Sequence, residues 1–130
     1  MPTLLFLTGA PGSGKSTLAR LLVEERPLAL LLDLDTLRGQ LGGWRDDPTA
    51  AGIRARELGL ALARTQLEAG GDVVVPQFVR RPQLVAQCRE LAAATGSTFV
   101  LAALVSSPEE AADRFRGRLG SPDANHRDAA

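Results

Sequence analysis

Gly9-Ala10-Pro11-Gly12-Ser13-Gly14-Lys15-Ser16 fits the pattern G-x-x-x-x-G-K-[ST], and its flanks decide the fold. Before it, Thr3-Leu4-Leu5-Phe6-Leu7-Thr8 is a short apolar run that reads as a buried strand. After it, Thr17 to Glu25 carries the leucine spacing of a helix. Strand, glycine loop and helix in that order give the motif physical content. Glycines let the backbone curl so that successive N–H groups converge on an anion, and the helix N-terminus adds its dipole to the same point. In such a loop Lys15 reaches terminal phosphates, Ser16 offers its hydroxyl to Mg²⁺, and Thr17 adds a phosphate contact. Lys15 is the only lysine in the chain.

Working outward, apolar strand-like runs alternate with helical patterns, which predicts a parallel sheet with helices on both faces. The expected strands are Thr3–Leu7, Leu28–Leu32, Val73–Val75 and Thr98–Val105. The expected helices follow the loop and then lie near Thr36–Leu41, Ala50–Ala69, Pro82–Thr95 and Pro108–Leu119. Gly70-Gly71 and Gly96 are the stops of the third and fourth, and Ser107-Pro108 is the start of the last. A sheet of this kind binds ligands at the carboxyl ends of its strands. That selects residues 8–16, 33–38, 76–81 and 106–107 for chemistry, and it excludes Asp72 at the start of the third strand.

At 130 residues the chain is one domain. Fifteen acidic residues balance fifteen basic ones, which argues against nonspecific nucleic-acid binding. A single cysteine, Cys88, rules out an intrachain disulfide and reads as a buried structural thiol. No charged leader precedes a long apolar stretch and no apolar run approaches a membrane span, so the reading expects a cytoplasmic protein with no membrane partner.

Asp33-Leu34-Asp35-Thr36-Leu37-Arg38 follows the all-apolar second strand. Phosphoryl transfer needs a carboxylate to orient the attacking hydroxyl and take its proton, and cations to hold the transferred group. Asp35 is the expected base, with helix N-capping as its structural alternative. Arg38, three residues on, shares its face and would clamp the acceptor or the transferred group. Asp33 is open between a Mg²⁺-supporting carboxylate and a strand-end residue held by backbone amides.

Together these residues resemble the small P-loop kinase group that includes polynucleotide 5′-hydroxyl kinases, chloramphenicol phosphotransferase, gluconate kinase and zeta-toxin kinases. The resemblance covers the order of elements along nearly the whole chain, and the first 40 residues at motif level. It implies a three-layer P-loop domain with sheet order 2-3-1-4, ATP and Mg²⁺ as cofactors, and transfer of the γ-phosphate to a hydroxyl. The acceptor is a small molecule or a nucleic-acid 5′ end. Gly9, Ala10, Pro11, Gly12, Ser13, Gly14, Lys15, Ser16 and Thr17 would bind the nucleotide, and Ser16 and Asp33 the metal. Lys15, Asp35 and Arg38 would act in catalysis. A lid candidate, Arg114-Phe115-Arg116-Gly117-Arg118, would bring Arg114 and Arg118 to the γ-phosphate, with Arg127 as a further candidate.

Two features depart from that group. The third strand leads into Gln77, where the group usually carries an aspartate that supports Mg²⁺. The group's usual fifth strand and last helix have no counterpart before Ala130. The organisation expected is a kinase-like domain over 1–119 and a lid or tail over 120–130, with the fourth strand as an apolar edge able to pair with another chain. The rival class is a nucleotide-binding module with weak ATPase activity that acts through partners. Arg80-Arg81 read equally as an anion contact and a surface pair, His126 as exposed, and Trp44 as an acceptor-stacking ring or a core plug.

Overall fold

The computed structural model describes residues 1–10, 12–79, 82–104, 107, 109–110 and 112–113. Its elements run β1 (Thr3–Thr8), α1 (Lys15–Glu24), β2 (Leu30–Leu31), α2 (Leu34–Gly39), α3 (Pro48–Glu68), β3 (Val73–Pro76), α4 (Pro82–Ala94) and β4 (Thr98–Ala103). All strand pairs are parallel, and the sheet order is β2-β3-β1-β4, as the sequence predicts.

The period-2 alternation of side chains explains why these strands are apolar at every position but the threonines at their ends. Leu4, Phe6, Val73 and Val75 point to one face, where Ala63 and Leu67 of α3 and Val85, Cys88 and Leu91 of α4 cover them. Leu5, Leu7, Val74, Val100 and Ala102 point to the other, against Leu18, Ala19 and Leu22 of α1. Each fully buried leucine or valine contributes about 1.5–3 kcal/mol, so the two half-cores stabilise one shared sheet.

The helix ends follow the sequence signals. The amide of Gly71 donates to the Gln66 carbonyl at 3.0 Å and that of Gly70 to Leu67 at 3.0 Å, with Gly70 at φ +88°. α4 closes the same way through Ser97 to Ala92 at 2.8 Å and Gly96 at φ +67°. These are paired bonds that only a residue tolerant of left-handed backbone completes easily. α3 begins two residues earlier than expected, because the Asp47 carboxylate accepts from the Ala50 amide at 3.1 Å and Pro48 occupies the first turn. Ser107 accepts from Glu110 N at 3.2 Å, the N-cap the sequence indicates.

β2 is shorter than the expected Leu28–Leu32. Leu28 has φ +58°, and a turn bond from Ala29 to Arg26 at 3.2 Å holds the chain off the sheet until Leu30. β4 pairs with β1 alone among the described residues. None of its own residues is charged, and the Arg89 guanidinium of α4 lies over the Phe99 ring at 5.1 Å. Among the described residues no helix is long and apolar enough to cross a membrane.

Asp72 is structural, as its position at the amino end of β3 implies. Its carboxylate accepts from the Thr3 amide at 2.8 Å and from Arg26 at 3.1 Å, fastening β1, β3 and the end of α1.

Candidate active site

β1 is central, with β3 on one side and β4 on the other, so the loop leaving its carboxyl end lies between the ends of β3 and β4. Gly12 and Gly14 hold φ +82° and +93°, conformations that side chains with a Cβ disfavour. Gly14 is the N-cap of α1 and no side chain caps that helix, so the first amides of α1 open to whatever lies in the loop. A Cβ on Gly9 would come within 2.6 Å of Ser13 Oγ, so the loop closes only around glycine there. Ser13 Oγ is itself buried without a partner among the described residues. An uncapped helix start, two left-handed glycines and an orphaned hydroxyl form a cradle that fits the phosphates of a nucleotide. Lys15 is half-buried, while Ser16 and Thr17 are exposed. Pro11 lies outside the described residues.

The segment after β2 distinguishes two of the alternatives read from the sequence. Asp33, not Asp35, is the N-cap of α2: its Oδ1 accepts from the amides of Asp35 at 3.0 Å and Thr36 at 3.3 Å. The helix therefore starts at Leu34, and the Asp35 side chain is left exposed and free of capping duty. Arg38 Nη2 lies 3.8 Å from Asp35 Oδ1, which places them on one helix face as the spacing predicts. Among the described residues no cluster of three His, Cys, Asp or Glu could hold a metal. The donors present, Ser16 and the second oxygen of Asp33, suit Mg²⁺, which keeps waters and takes most of its oxygens from substrate phosphates.

Lys15, Asp35, Arg38 and Gln77 line one open cavity of about 550 Å³, together with residues the sequence reading did not single out. Those are chiefly Arg56 and Ile53 of α3, Phe78 just beyond β3, and Gln83 and Leu84 of α4. Phe78 stood at a selected strand end, so its position was the available signal. Arg56 carried none, because only the docking of α3 turns it inward. Gly59 permits that docking, since a Cβ there would run into Leu34 Cδ2. Gln77 Oε1 is buried with no partner among the described residues, and Arg38 Nε likewise. Trp44 follows neither expectation: it is absent from the cavity wall and the buried core, and its ring carries Arg38 at 5.1 Å and Arg45 at 4.8 Å. Arg80, Arg81, Arg114, Arg116, Arg118, His126 and Arg127 lie outside the described residues, as does the 120–130 segment.

A parallel 2-3-1-4 sheet with a glycine cradle at the end of its first strand defines a P-loop nucleotide-binding domain of the small kinase type. The chain belongs to the AAA domain family, which it matches over residues 4–130. It is 36% identical over 95 residues to an adenylate kinase of Jannaschia sp. (strain CCS1), covering 68% of this chain and 49% of that protein. The chain thus spans about half the length of that relative. Its fold superposes on a variant of the Mycobacterium tuberculosis APS kinase CysC with TM-score 0.72 at 24% identity, over 92% of this chain and 98% of the other. The same enzyme in complex with AMPPNP and APS gives TM-score 0.58 at 27% identity, over 92% of this chain and 71% of that one.

Proposed function

We propose that this protein is a kinase that phosphorylates an acceptor hydroxyl, with ATP as donor and Mg²⁺ as cofactor. The observation that carries the reading is the single cavity onto which both Lys15 of the phosphate loop and Asp35 of α2 open. ATP, when bound with Mg²⁺, supplies the γ-phosphoryl group. The first amides of α1 and Lys15 hold its phosphates, and Ser16 and Asp33 support the metal. Asp35, released from capping by Asp33, receives the proton of the acceptor hydroxyl as the oxygen bonds to phosphorus and ADP departs. Arg38 faces the same space and supplies the positive charge that meets an anion of the acceptor or the transferred group.

An alcohol suits this site better than a phosphate as the reacting group. The adenylate kinase relative is named for a reaction in which a phosphate is the acceptor, and such an acceptor has no proton that needs a base. It would also bring negative charge against the Asp35 carboxylate. The complex of the APS kinase with AMPPNP supports ATP as donor. A concave cavity of about 550 Å³ and the balanced charge of the chain favour a small molecule over a nucleic-acid end.

The orphaned Gln77 Oε1 favours the second reading, a nucleotide-binding module with weak ATPase activity, because an amide supports a metal poorly where a carboxylate would do so. Transfer of labelled γ-phosphate to a library of small alcohols separates the two. Asp35→Asn should lower transfer about a hundredfold while nucleotide affinity measured by calorimetry stays unchanged, and Lys15→Ala should remove that affinity. Normal turnover in Asp35→Asn would overturn the assignment of the base.

A further inference from the structure

Two arginines on different helices line the cavity, and neither is neutralised by a close ion pair among the described residues. Arg38 comes from α2 and Arg56 from α3. The carboxylate paired with Arg38 is that of Asp35, loosely, at 3.8 Å. The Arg38 guanidinium carbon lies over the Trp44 ring, 5.1 Å from the centroid, a contact that holds the head group without supplying a counter-ion. Arg56 is half-buried and has no acidic partner among the described residues. A cation removed in part from water without a counter-ion is costly until an anion arrives.

Beside these charges the wall is apolar. Ile53 is 47% exposed and Phe78 39%, and with Leu84 they line the same cavity. Large apolar side chains left open on one concave surface mark a binding wall.

We propose that the acceptor is a small anionic alcohol with a flat or apolar body. Its phosphate-, sulfate- or carboxylate-type group lies between Arg38 and Arg56, its body lies on Ile53 and Phe78, and its hydroxyl is turned to Asp35. The assignment rests on the kinase reading above and names its substrate class. It also sorts the charges: the acceptor's own anion meets the two arginines, and only an uncharged hydroxyl meets the carboxylate. Arg56 is then the residue that sets specificity for anionic alcohols.

The chain carries its own reporter, because Trp44 is the only tryptophan and it lies against Arg38. With the phosphate loop saturated by AMPPNP and Mg²⁺, Trp44 fluorescence is titrated with the four common nucleosides, their 5′-monophosphates and inorganic phosphate. At least one monophosphate should bind tenfold or more tighter than both its nucleoside and phosphate alone. Arg56→Gln should weaken that monophosphate ten- to hundredfold, the scale of a lost charge-assisted contact, and leave the nucleoside and AMPPNP affinities unchanged.

Equal affinity for nucleoside and monophosphate, or a preference that survives Arg56→Gln, overturns the anion site. Inorganic phosphate as tight as every monophosphate overturns the apolar wall, and no response to any monophosphate overturns the acceptor class. Tighter binding of a 5′-hydroxyl oligonucleotide overturns the small-molecule assignment. Arginine-dependent binding in a chain that transfers no phosphate would sink the kinase reading alone. Transfer that ignores Arg56 would sink the acceptor class alone.

Discussion

Asp33 and Asp35 stand two residues apart, and the fold gives them different tasks. One oxygen of Asp33 is committed to two backbone amides, which leaves the other oxygen free of capping duty. Capping and metal support can therefore be separated by substitution. Asn caps a helix about as well as Asp, whereas Ala does not. Asp33→Asn should leave the unfolding free energy within about 0.5 kcal/mol of wild type, and Asp33→Ala should cost about 1 kcal/mol. Both should raise the Mg²⁺ concentration needed for nucleotide binding. Urea unfolding gives the first quantity and a Mg²⁺ titration at fixed nucleotide the second. An unchanged Mg²⁺ requirement in Asp33→Asn would reduce Asp33 to a cap. The Asp35-Arg38 pair was legible because both residues belong to one local turn. Arg56 was not, because its side chain joins the site only through the tertiary docking of α3 over Gly59.

At the scale of elements, what was legible is what local chemistry dictates. Gly70, Gly96 and Ser107 ended or began helices where the sequence placed them, since each answers an unsatisfied backbone group within a few residues. β2 was overestimated because Leu28 is apolar yet 91% exposed, and hydrophobicity alone does not reveal a left-handed residue. β4 is apolar as the sequence reads, and Arg89 of α4 lies over its Phe99 ring. We propose that two copies pair through this edge. The amides of Thr98 and Leu104 donate inward, to the Pro2 and Thr8 carbonyls at 2.9 and 2.8 Å. By the alternation of a parallel ladder, the amides of Phe99, Leu101 and Ala103 then face outward. Ala103→Pro removes an outward donor and no inward bond, which an edge strand tolerates. At micromolar concentration wild type should sediment as a dimer and Ala103→Pro as a monomer. A monomeric wild type would defeat the idea.

At the scale of the whole molecule, the two half-cores share one sheet, so they should unfold together. Val73, Val74 and Val75 alternate between them along a single strand, and neither face can be exposed without unpairing the other. Cys88 reports on that cooperativity. It is buried in the core covered by α3 and α4, and burial pushes its thiol from 9.0 up to about 12. A thiol reagent should therefore label native protein only as fast as the chain unfolds globally. The same shift fixes a pH dependence. The neutral thiol is favoured in the folded state, so the unfolded chain loses its proton first. The stability this preserves is complete below pH 9 and is lost as pH rises from about 9 toward 12, by up to about 1.4 kcal/mol per unit. With no tyrosine and one lysine in the chain, few other side chains titrate in that window. Cys88→Ala should lower stability at neutral pH, through the lost packing of its sulfur, yet flatten the decline above pH 9. Urea unfolding of both proteins at pH 7, 9 and 10.5 measures this. Parallel declines in the two would show that Cys88 is not the titrating group.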